Sequence, residues 1–137
     1  MKTEVMDRKL ALVSAARRAV LRLDESERPR LVVLGVGATT NWLLAVGGLI
    51  GLMFQEAYYL AVTDRSVYVL RGPRTEMGPN RLMHVVPLAE GAGLVAKVKL
   101  GRTWNSLRLR LPGRRRPVRV KVSVFSRAEL DRFLAKL

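Results

Sequence analysis

The chain has no cysteine, so disulfide scaffolding and thiolate chemistry are both excluded, while the compartment is left open. It has one histidine, His84, inside the strand-like run "RLMHVVPL", where it reads as a structural residue. No Asp/Glu pair converges, no nucleophile stands beside a base, and no phosphate loop or zinc spacing occurs. The expectation is a protein that is not an enzyme and needs no cofactor and no metal. Acidic residues are scarce as well: 11 Asp and Glu face 25 Lys and Arg, for a net charge of +14. Such a surface is drawn to polyanions, whether nucleic acid, anionic lipid or an acidic protein face. The N-terminus lacks a signal-peptide pattern, because Arg8, Lys9, Arg17 and Arg18 interrupt any apolar core and Glu4 and Asp7 do not suit the leading segment. That points to the cytoplasm.

At 137 residues with 49% hydrophobic content, the chain suits one domain with a modest core. Residues 3–23 contain neither Gly nor Pro. Met6, Leu10, Val13, Ala16 and Val20 recur at helical spacing, and Arg8, Arg18 and Arg22 share another side. This predicts an amphipathic helix that packs on its own domain or lies on an anionic membrane. After "DESERPR" the texture becomes β-rich, with strands expected at Leu31–Val36, Ala57–Thr63, Ser66–Arg71, Arg81–Pro87, Leu94–Leu100, Thr103–Leu111 and Val118–Val124. A turn at Asp64-Arg65 sets Val62 against Val67 and Leu60 against Val69 on one face. It sets Ala61 against Tyr68 and Tyr59 against Leu70 on the other. Both faces of this hairpin are apolar, so both need cover. The chain closes with "SRAELDRFLAKL", in which Ser126 and Glu129 form a capping box ahead of the stripe Leu130, Phe133, Leu134 and Leu137.

Seven short strands, the segment "YYLAVTDRSVYVLR" (Tyr58 to Arg71) and one C-terminal helix resemble the small bacterial pleckstrin-homology-like (PH-like) proteins. The resemblance covers roughly residues 28–137 and leaves 1–27 as an added helix and linker. It implies a mainly β fold with flanking helices (α+β): a seven-stranded bent barrel closed by the C-terminal helix and acting as a non-catalytic binding module. Two departures stand out. Phe133 occupies the helix where better-known members carry tryptophan, and Gly37 to Gln55 contains no Lys or Arg, so a family-style inositol-phosphate loop is not expected there.

No residue from Leu31 to Gln55 is charged, and the apolar, Gly-rich insertion at 37–55 has three readings. Residues 31–55 are long enough for a single membrane span. However, "TTN" (Thr39 to Asn41) interrupts the run, leaving Trp42 to Phe54, a length that suits a buried or interfacial helix. Leu44, Ile50, Met53 and Phe54, with Leu43, would then cover the second face of the 57–71 hairpin or a second copy of the chain. Partial membrane insertion is the third reading, with Trp42, Leu44, Ile50, Met53, Phe54 and Trp104 as contacts.

The last three strands alternate strictly, which puts Lys97, Lys99, Arg108, Arg110, Arg119 and Lys121 on one outward face. A two-residue turn at Gly101-Arg102 opposes Ala96 to Leu107. The loop "PGRRRP" opposes Leu109 to Val120, and with it Arg110 to Arg119 and Arg108 to Lys121. Arg114, Arg115 and Arg116 add a cationic tip, and Trp104 stands beside Lys99. Like charges directly opposed destabilise a sheet, and phosphates would relieve that repulsion. Arginine suits them through its bidentate fork. The alternative is a solvated outer face whose charges discourage edge pairing. The expected partner is anionic phospholipid at the cytoplasmic membrane face, or an acidic protein. Nucleic acid is the alternative, although single-strand binding normally uses several stacking aromatics. A structural subunit of a larger assembly, buried through 42–54, is a further one.

Overall fold

A computed structural model describes residues 2–37, 56–73 and 78–137, with side chains from Asp7 onward. Within them the chain forms helix α1 (Lys2–Leu23) and strands β1 (Leu31–Gly37), β2 (Glu56–Val62), β3 (Ser66–Pro73) and β4 (Arg81–Pro87). A 3-10 segment (Leu88–Gly93) follows, then β5 (Val95–Lys99), β6 (Trp104–Leu109), β7 (Val118–Ser123), a 3-10 turn (Val124–Ser126) and helix α2 (Arg127–Lys136). The seven strands make one antiparallel sheet in the order β4-β3-β2-β1-β7-β6-β5. The sheet curls into a half-barrel, mainly β with flanking helices, and the Leu88–Gly93 segment links its two edge strands. None of the described helices is long and apolar enough to cross a membrane.

Alternation along the strands gives the sheet two apolar faces. The inner face collects Leu31, Val33, Leu60, Val69, Leu107, Leu109, Val120 and Val122, and α2 closes it with Leu130 and Phe133. The β2–β3 register is the expected one, with Val62 opposite Val67 and Tyr59 opposite Leu70. Its second face does find cover, and α1 supplies it: Ala16, Ala19 and Val20 pack on Val32, Tyr59, Ala61, Tyr68 and Leu70. Trp42, Leu44, Ile50, Met53 and Phe54 lie outside the described residues.

Helix α1 meets the sheet through part of the expected stripe, with Ala16 and Val20 buried and Val13 packed beside them, but Ala15 and Ala19 join it and Leu10 does not. Ala15, Ala16, Ala19 and Val20 are buried, whereas Leu10 is 59% exposed. Small side chains let the helix sit close: a Cβ on Gly78, whose φ is +78°, would collide with the Ala15 methyl. Bulk at Leu10 would hold the helix off, so the alanine stripe faces inward.

The second helix also starts differently. Ser126 occupies the N-cap position at φ −110° and ψ 14° without a side-chain capping bond. The preceding 3-10 turn takes that role, with the Ser123 hydroxyl accepting from the Phe125 amide. Glu129 pairs instead with Lys9 of α1, so the capping box is not formed.

Candidate functional site: a basic sheet face and the cleft beside it

The β5–β7 face is basic as expected, but its strands pair two residues away from the expected register. Val98 opposes Leu107, and Lys97 opposes Arg108. Leu107 opposes Val120, Arg108 opposes Arg119, and Ser106 opposes Lys121. The cause lies in the connections. Leu100 to Thr103 form a longer loop than a two-residue turn, held by the buried Asn105, whose Oδ1 accepts from the Gly101 amide at 3.2 Å. Asn105 also donates to the Val122 carbonyl, which ties the loop to β7. An irregularity between Val95 and Lys97 absorbs one residue. A shift of two preserves parity, so every basic residue keeps its face.

The new register changes which charges meet. Arg108 sits between Lys97 on one side and Arg119 on the other, three cations in one row across three strands. The next row reads Lys99, Ser106, Lys121 and Val36. Arg110 has left the opposed pair; its guanidinium donates to the Gly93 carbonyl at 3.3 Å. Arg114, Arg115 and Arg116 are exposed in the β6–β7 loop. Among the described residues, none of these nine basic side chains is in an ion pair, whereas Lys9, Arg30, Arg65, Arg71 and Arg127 each have a carboxylate. Nine cations without an ion-pair partner among the described residues are thus carried by β5, β6, β7 and the loop between β6 and β7. Trp104 opposes Ser123 rather than standing beside Lys99, and is 45% exposed. Phe125, just beyond β7, is 58% exposed.

Where β1 joins β7 the sheet changes partners over only two residue pairs, Val36 with Lys121 and Gly37 with Val120. The strands approach closely there: a Cβ on Gly35 would lie 2.5 Å from a Val120 methyl. Beside this seam, between α1 and the basic face, runs a cleft of about 260 Å³. Leu12, Leu34 and Val36 give it an apolar wall, Trp104 and Phe125 form its mouth, and Arg8, Lys9 and Lys121 bring cations to it. Lys9 is compensated, bonded to Glu129 and donating to the Phe125 carbonyl at 3.0 Å.

Tyr59 also lines the cleft, and its hydroxyl is enclosed with no hydrogen-bond partner. Burial pushes the phenol's pKa up, while the charge of Arg8 acts in the opposite direction. Nothing in the sequence pattern singles out this cleft, because it is assembled from α1, β1, β2, β6, β7 and the turn after β7 together. Comparison with protein-family models, curated proteins and solved structures finds no match for this chain.

Proposed function

We propose that the protein is a non-catalytic PH-like binding module that docks on an anionic membrane face through the outer surface of β5, β6 and β7. One observation carries the reading: a contiguous set of cations, unpaired among the described residues, lies beside exposed Trp104 and Phe125. Like charges opposed across strands cost stability, and a layer of lipid phosphates offsets that cost. Aromatic side chains at the rim suit the interface between headgroups and acyl chains. The PH-like assignment is supported by the strand order β4-β3-β2-β1-β7-β6-β5 and by the C-terminal helix over the inner face. In this reading α1 is an addition to that plan, placed on the outer face of β1–β3.

Flotation with liposomes tests the proposal. Vesicles containing phosphatidylserine should carry the protein, and neutral phosphatidylcholine vesicles should not. The double substitution Lys99→Glu and Arg108→Glu should weaken binding by roughly 30-fold or more, since each basic residue near an anionic leaflet contributes about 1 kcal/mol and the new carboxylates are repelled. Folding should survive, because Arg108→Glu replaces two repulsive neighbours by two attractive ones. Indifference to anionic vesicles, combined with binding of single-stranded or duplex nucleic acid with a steep salt dependence, would replace lipid with nucleic acid as the partner.

A further inference from the structure

The structure assigns a second, more selective site: the cleft between α1 and the β1–β7 seam binds one single-chain anionic amphiphile, an alkyl carboxylate or alkyl phosphate. Its head lies near Arg8, Lys121 and the Tyr59 hydroxyl, and its chain lies along Leu12, Leu34 and Val36.

Three features point to a ligand of this kind. The lining is divided, with aliphatic side chains on the walls and cations at the opening, as a molecule with an apolar tail and a charged head requires. The volume, about 260 Å³, suits a short chain and excludes a folded partner. The Tyr59 hydroxyl is an enclosed donor without an acceptor. Buried polar groups are nearly always paired, because an unmade bond costs the full desolvation of the group. An acid group entering beneath the exposed Arg8 side chain would supply the acceptor. Exposed Trp104 and Phe125 then mark the entrance, where a chain leaving a lipid layer would first touch protein. Glu129 is bonded to Lys9, so it leaves the charge of Lys121 in place.

Calorimetric titration with monomeric decanoate and decyl phosphate tests the assignment, with decanol and inorganic phosphate as controls. The ionised amphiphiles should saturate at one per chain, and each control should bind at least tenfold more weakly. Tyr59→Phe, which keeps the ring and removes the donor, should weaken both amphiphiles about tenfold, the loss expected for a hydrogen bond to a charged group. Lys121→Gln should weaken them as well. Tighter binding of either amphiphile supports the site and identifies its preferred head group. Binding that never saturates, decanol bound as tightly as decanoate, or a Tyr59→Phe protein that binds like the original would each overturn it. The doubly substituted Lys99→Glu, Arg108→Glu protein keeps the cleft intact. It should still bind decyl phosphate while losing liposomes, which separates failure of this site from failure of the membrane-docking surface.

Discussion

Tyr59 and Tyr68 stand on the same outer face of the sheet, yet their hydroxyls meet opposite fates. Tyr68 donates to Glu27 at 3.1 Å, and Glu27, 4% exposed, is also 3.5 Å from Arg65. Burial, reinforced by the bond to Glu27, pushes the Tyr68 phenol up to about 12 from its ordinary 10.0. The folded state therefore holds this proton more tightly than the unfolded chain does. The stabilisation is complete below pH 10, declines as the unfolded chain ionises, and is lost as the pH rises through 12. Tyr68→Phe should make the alkaline decline in stability shallower, though not flat, because Tyr59 is shifted in the same direction. At pH 7 the same substitution should cost about 1 kcal/mol through the lost bond to Glu27. Urea unfolding at a series of pH values measures both effects, and an unchanged alkaline slope would refute the first.

Among the elements, α1 contributes most beyond its own length. It covers the outer face of β1–β3, walls the cleft, and reaches α2 through Lys9 and Glu129. That ion pair is largely shielded from water, with side chains 15% and 22% exposed, and the second Glu129 oxygen has no partner. Removing the cation alone leaves a poorly compensated carboxylate. Lys9→Ala should therefore cost about 2 kcal/mol, between the values for surface and buried pairs. Adding Glu129→Gln should recover much of that loss, and strictly additive single substitutions would show the pair to be energetically silent. The elements themselves were legible because their signals are local: alternation for the strands, Asp64-Arg65 for the first turn, and a Gly/Pro-free run for α1. What covers the hairpin was not legible, since periodicity marks an apolar stripe without naming its partner, although Ala16 and Val20 of that stripe do make the contact. The β5–β7 register depended on the buried Asn105, whose side chain shapes a loop that Gly101-Arg102 alone describes as a tight turn. The basic face keeps its residues because parity is preserved, whereas the cleft needs six elements brought together in space.

For the whole molecule, the charge balance sets the response to salt. Six ion pairs among the described residues weaken as ionic strength rises, and the repulsion within a chain of net charge +14 weakens with them. Repulsion is the larger effect, because the cations of β5–β7 have no carboxylates to lose. The melting temperature should therefore rise between 20 mM and 200 mM salt, and more with phosphate than with chloride; a fall in both would show that the ion pairs dominate. The placement of the two helices also governs how the chain is made. α1 leaves the ribosome ahead of the sheet, but the surface it covers is not complete until Leu70 of β3 has emerged. The inner face stays open still longer, because β1 pairs with β7 and Leu130 and Phe133 of α2 emerge only after all seven strands. Contacts so far apart in sequence make for slow folding. The nascent protein thus carries its apolar inner face exposed until α2 has emerged, and that interval is when it depends most on whatever shields growing chains in the cell.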